Sequence, residues 1–218
     1  MSNQVSAQVD SVRYQARFNP ETCLHDFYIV IEGGSATIIP HRAQFNSQFT
    51  VVYPTSASIN GGPINNMPLQ NNQNYTSTTP MVWKLSSSAI DPASAPGLVF
   101  QSIVPTLSPA SFYNNLVTGD TIKLFSLDIS PVTECGVDVR VYENGVDPDS
   151  NADGMNGSDY SNGFTIGGSV QKYVGNHAPV TPPLPELSAV VNCDNGIGIY
   201  LTAEVSGCQT PPTYSWSG

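Results

Sequence analysis

Positive charge is scarce in this sequence. Seven Lys and Arg stand against seventeen Asp and Glu, a formal net charge of −10. The seven are scattered (Arg13, Arg17, Arg42, Lys84, Lys123, Arg140 and Lys172), so no basic cluster offers itself to nucleic-acid phosphates. Charge of either sign is thin, at 11% of residues, against roughly a quarter in ordinary domains. The polar surface therefore falls to Ser, Thr, Asn and Gln, as in many secreted β proteins. No apolar run approaches the roughly 18 residues that a membrane-spanning helix needs. No leader segment is visible: Met1-Ser2-Asn3 runs straight into alternating sequence, so an extracellular chain would have lost its leader before this point.

Catalytic signatures are missing too. There is no G-x-S-x-G elbow, no H-E-x-x-H and no glycine-rich phosphate loop. His25, His41 and His177 lie far apart in the sequence. His25 and Asp26 are neighbours, which on a strand point to opposite faces. Glu32, Glu134 and Glu143 are the carboxylates to consider for glycoside chemistry, but Glu32 and Glu143 stand at strand ends, where turn roles are ordinary. The expectation is a protein that is not an enzyme.

Cysteine is limited to Cys23, Cys135, Cys193 and Cys208, with no C-x-x-C pair, so a thiolate zinc site is not indicated. Two disulfides in an oxidising compartment is the simpler reading. Cys193 and Cys208 are close in sequence and suit a local bridge, leaving Cys23 with Cys135; four cysteines allow three connectivities.

Helix signals are almost absent, and strand signals are frequent. Alternating or β-branched stretches occur at 5–18, 23–33, 36–54 (broken at Pro40), 81–85, 97–104, 120–130, 136–145 and 163–168. In 23–33, Phe27, Ile29 and Ile31 share one face. Five Asn-Gly pairs, beginning at 60, 144, 156, 162 and 195, tolerate the positive φ of tight hairpins. Long polar stretches at 59–80 and 86–96 read as loops. About nine strands at this spacing predict an all-β fold, an antiparallel β-sandwich of jelly-roll type. It would occupy 1–176. A Pro-rich linker follows at 177–185. Residues 186–218 hold a few strand candidates, too few to bury a core, and read as the opening strands of an immunoglobulin-like domain of a longer protein. The ending Tyr214-Ser215-Trp216-Ser217-Gly218 resembles a stretch of PKD-like and adhesin-repeat domains.

The strongest chemical signal is "DPDSNADGMNGSD", residues 147–159, with four of the seventeen acidic residues. Asp149-x-Asn151-x-Asp153-Gly154 matches the first half of a calcium loop, in which alternate oxygen ligands curl round a hard cation and glycine permits the bend. Asp147 and Asp159 complete a candidate metal set. Tyr160 stands where such a loop carries its bidentate Glu. The alternative is a polar inter-strand connection. Trp83, Tyr53, Tyr75, Tyr113 and Tyr160 are candidates either for the core or for stacking platforms in a sugar-binding module.

"LFSLDI", "C-G-x-D-V-R-V-Y-x-N-G-x-D-P" and "D-Y-S-N-G-F-T-I-G-G", within 124–176, resemble stretches of large surface adhesins of gliding Gram-negative bacteria that use the type IX secretion route. The resemblance covers roughly a quarter of the chain. It implies a cohesin-like sandwich ahead of PKD- or immunoglobulin-like repeats, with partners among surface or matrix molecules, glycans or copies of the chain itself. It implies an extracellular, cell-surface setting, alongside the charge pattern that argues against nucleic acid and the short apolar runs that argue against a membrane span. The roles it suggests are adhesion, carbohydrate binding, or assembly into a filament or sheath by strand addition. Asp10-Ser11-Val12 and Asp120-Thr121-Ile122 are similar to the short O-glycosylation motif of such bacteria.

Overall fold

The computed structural model describes residues 8–64, 82–106, 112–130 and 139–180, and the backbone of 188–192 and 200–204. Two largely antiparallel sheets pack face to face. In the first, β1 (Val9–Asn19) and β2 (Leu24–Ala36) form a hairpin. Its turn starts with the Asn19 side chain accepting from Glu21 N–H at 3.0 Å and ends at Cys23, whose φ is +58°. The short helical turn α1 (Ile39–Arg42) reverses the chain at Pro40. It leads into β3 (Gln44–Pro54), the central strand of the second sheet.

The remaining strands are β4 (Ser58–Ile59), β5 (Val82–Ile90), β6 (Leu98–Thr106), β7 (Leu116–Val117), β8 (Thr121–Leu127), β9 (Ile129–Ser130), β10 (Arg140–Val141), β11 (Gly163–Ile166) and β12 (Tyr173–Asn176). The first sheet runs β12-β1-β2, with β8 and β7 on the far side of β2. The second runs β3-β6-β5, with β10 and β11 sharing the free side of β3. β4 and β9 make a small pair beside them. Fourteen strands are present among the described residues, more than the expected nine, and four of them are only two residues long. The all-β sandwich expectation holds.

Alternation builds the core. Val12, Tyr14 and Ala16 from β1, Phe27, Ile29 and Ile31 from β2, and Phe49, Val51 and Tyr53 from β3 turn to the interface and are buried. Phe49 is its hub. It stacks on Tyr14 at 4.2 Å and meets Phe27 and Phe125 edge-on at 5.3 and 5.5 Å. Each such pair adds about 0.5–1.5 kcal/mol to the area term. Tyr14 keeps its hydroxyl satisfied by donating to Gly163 O at 2.6 Å, which ties the first sheet to β11.

Two sequence expectations need correction. Residues 86–90 are not loop: they continue β5, pairing with β6 across a bulge between Leu85 and Ser88. β5 is the outermost described strand of its sheet, so serines meet solvent, while Trp83 packs into the inter-sheet core and Ala89, past the bulge, packs on the opposite face. Residues 177–180 do more than link. His177 N–H and Val180 N–H donate to Tyr14 O and Ala16 O, carrying the parallel pairing of β12 further along β1. Pro179 falls between the two donors, where no N–H is required.

After this, β13 (Ser188–Asn192) and β14 (Tyr200–Glu204) pair antiparallel as a two-stranded sheet of their own. The remainder of 181–218, with Cys193 and Cys208, lies outside the described residues, as do Tyr75, Glu134 and Cys135. Among the described residues no helix is long and apolar enough to cross a membrane.

Candidate functional site

The acidic stretch lies in the connection from β10 to β11, and its position explains its composition. The second half of β3 is buried on both faces. Its inner face meets the first sheet. On its outer face Val52 forms a cross-strand row with Phe100 of β6 and Ala89 of β5. The acidic loop covers that row. Tyr142, Met155 and Tyr160 come down on it and make a second hydrophobic cluster, with Met155 and Tyr160 at 0% and 1% exposure. Tyr142 and Tyr160 meet the Phe100 ring at 6.1 and 6.2 Å. Tyr160, the residue at odds with the calcium pattern, is thus an apolar anchor of the loop.

Polar contacts hold the loop's outer contour. Asp147 receives Arg140 through two contacts, at 2.6 and 2.7 Å, and accepts Glu143 N–H at 2.7 Å. Such a two-toothed pair is among the stronger hydrogen-bonding arrangements. Asp149 accepts Asn151 N–H at 2.8 Å, and Asp159 accepts Ser161 N–H at 2.8 Å; both are local side-chain turns. Asp153 contributes its backbone carbonyl to Ser94 N–H at 3.0 Å. Gly154 sits at φ +83°, and a Cβ there would lie 2.7 Å from Pro92 Cα. Glycine is required for close packing on the β5–β6 turn as much as for the bend.

The predicted ligands Asp147, Asp149, Asn151, Asp153 and Asp159 therefore share one loop without converging. Among the described residues no group of three or more His, Cys, Asp or Glu is gathered tightly enough to hold a metal ion. The carboxylates do act on Tyr142: burial first, then Asp147, Asp149 and Asp159, push its hydroxyl above the ordinary value. As placed, the residues do not fit a calcium cage, because Asp147 is engaged with Arg140 and Tyr160 points inward.

Asparagine amides close the base of the loop. Asn162 is buried. It donates to Tyr142 O at 2.5 Å and accepts Thr50 N–H at 2.7 Å. Asn144 and Asn162 grip each other, Nδ2 donating to Asn162 O at 2.9 Å and Oδ1 accepting Asn162 N–H at 2.8 Å. Asn176 of β12 donates to the same Tyr142 carbonyl at 2.8 Å. Beside this clamp an open polar groove of about 620 Å³ runs along the seam between β12 and the start of the loop. Arg13, Arg140, Glu143, Asn144, Tyr173 and His177 line it. Cations and anions are mixed here, and His177 Nε2 lies 2.6 Å from Glu32.

A second polar cluster escaped sequence reasoning. Asp26 is 2% exposed on the outer face of the first sheet. Lys123 Nζ lies 2.7 Å from it and the Ser126 hydroxyl donates at 2.6 Å, with Asn19 and Tyr28 at 3.3 Å. Burial and Asp26 together push the Tyr28 hydroxyl up to about 12. The neighbouring His25 does point to the opposite face, toward Phe18. Its Nδ1 is buried without a hydrogen-bond partner. Burial lowers its pKa to about 4, against the pull of the Asp26 and Asp128 carboxylates. The cross-strand pairing of Asp26 with Arg17 and Ser126 would have revealed the cluster, but a single sequence does not supply register.

The other candidates are placed plainly. Trp83, Tyr53, Tyr113 and Tyr160 are buried, so their rings serve the two cores. His41 lies in α1, within 3.3 Å of Gln8. Thr121 is exposed at the start of β8, while Ser11 is half-buried beside Gly33. Cys23 is disulfide-bonded. No family model, no curated protein and no solved structure matches this chain.

Proposed function

We propose that the chain is a non-catalytic binding and assembly module of an extracellular, multidomain surface or matrix protein. The observation that carries the reading is the β13–β14 hairpin. Its two strands pair with each other and with no third strand among the described residues. An isolated two-stranded ribbon is marginal in water, and its open edges accept strands from another chain. A rigid sandwich followed by a strand-hungry hairpin suits adhesion or assembly, with copies of the chain or other surface molecules as partners. The disulfide at Cys23 supports an oxidising setting. In this reading Cys23 pairs with Cys135 and Cys193 with Cys208. The acidic loop serves as a fitted cover over β3 and β6.

Light scattering of the full chain over a range of concentrations tests this. Mass is expected to rise with concentration. Val190→Pro, which removes a donor opposite Thr202, is expected to abolish the rise and leave the sandwich's melting unchanged. A mass that stays monomeric at every concentration would sink the assembly reading.

A further inference from the structure

The Asn-Gly pairs are chemically alike in sequence and unlike in the fold. Asparagine before glycine can lose its side-chain amide without an enzyme. The glycine N–H gives up its proton, and the nitrogen attacks the asparagine Cγ. A C–N bond forms, the Cγ–Nδ2 bond breaks and ammonia leaves. Water then opens the five-membered imide at either carbonyl, giving aspartate or isoaspartate. The side chain must swing onto the following nitrogen, so every hydrogen bond that pins either partner has to break first. Each such bond holds the reactant back by about 0.5–1.5 kcal/mol, a factor of a few to tenfold.

Four of the five pairs lie among the described residues. Asn162 is 3% exposed, with its Nδ2 on Tyr142 O and its Oδ1 on Thr50 N–H. Asn144 is exposed as a residue, but both ends of its amide are held by Asn162. At Asn156 the side chain is open, but the attacking nitrogen is not: Gly157 N–H donates to Ser150 O at 3.1 Å, and Ser158 N–H closes the same turn onto Met155 O. Asn60 differs from all three. Among the described residues its amide makes one contact, to the hydroxyl of half-buried Ser130 at 2.7 Å. Gly61 N–H donates no hydrogen bond among the described residues. Gly61 has φ +79°, and neither it nor Gly62 has a heavy atom within 4 Å of where a Cβ would stand.

We propose that Asn60 is the preferred site of spontaneous deamidation among these four pairs. The order expected is Asn60, then Asn156, with Asn144 and Asn162 last. The product adds one negative charge and removes the donor to Ser130 at the end of the β4–β9 pair. The isoaspartate form also lengthens the main chain just where it leaves β4.

Incubation of the full chain under mildly alkaline conditions, followed by peptide mass mapping and isoaspartate-specific methylation, tests the order. Asn60 should convert at least about tenfold faster than Asn144 and Asn162. The same chain in urea should lose the ranking, because only the fold distinguishes the sites. Ser130→Ala should speed conversion at Asn60 a few-fold and leave Asn156 unchanged. Conversion of Asn144 or Asn162 ahead of Asn60, an unreacted Asn60 while Asn156 converts, or a ranking that survives in urea would each overturn the proposal.

Discussion

The two hydrophobic clusters differ in origin. The inter-sheet core is made of strand residues at alternate positions, and Phe49 meets aromatic rings from three other strands or their neighbours. The cluster outside β3 and β6 is half strand and half loop, with Met155 and Tyr160 lowered onto Val52 and Phe100 from an acidic connection. The first is held by sheet geometry. The second depends on side-chain turns, one ion pair and an asparagine clamp. Acidic, glycine-rich sequence thus covers an apolar sheet face by placing two large side chains correctly and exposing the rest.

The most severe test of this contrast is Phe49→Ala. It should cost about 3–5 kcal/mol in denaturant unfolding, with the whole sandwich losing cooperativity together. A polar intruder at the edge of the same core gives the next effect. Unfolded, His25 takes up a proton near 6.5; folded, near 4. Between those values the unfolded chain binds more protons. Stability from the neutral ring is therefore complete above about 6.5 and is lost as pH falls toward 4, by at most about 3 kcal/mol. His25→Leu should flatten melting temperature over that window; an unchanged slope would refute the assignment. Met155→Ala should cost about 2–3 kcal/mol and expose the loop amides to hydrogen exchange while β1 and β2 stay protected. Equal loss of protection in both regions would show the two clusters to be one unit. Asp147→Ala, which frees Arg140 and Glu143 N–H, should cost about 1–2 kcal/mol, tempered by the partial exposure of Arg140. Calcium should leave the melting temperature unmoved; a calcium-dependent rise would mean that the carboxylates regroup round the ion.

The same contrast marks what was legible in the sequence. Phe27, Ile29 and Ile31 announce β2 because a strand with one buried face must alternate. The second half of β5 is hidden because an outer strand of serines looks like a loop until its pairing is known. β12 is four residues long and carries glycine, so nothing in its pattern marks it. The loop is ambiguous for a more interesting reason. Oxygen side chains at alternate positions followed by glycine suit a cation, but they equally suit successive turns in which each side chain accepts a nearby backbone N–H, as at Asp149 and Asp159. The residues that separate the two readings are Met155 and Tyr160. Their burial depends on Val52 and Phe100, about a hundred and about fifty positions earlier, and a periodicity argument does not reach that far.

The parallel run of β12 and residues 177–180 along β1 has a mechanical consequence. Chain entering at Val9 and chain leaving past Val180 do so at opposite ends of paired strands that point the same way. Tension between the two would drag β1 and its neighbour past each other lengthwise. The bonds from Lys172 O, Tyr14 O and Ala16 O would then bear the load together, in shear, rather than opening one after another like a zip. Pulled along its own chain, the sandwich presents its most resistant direction.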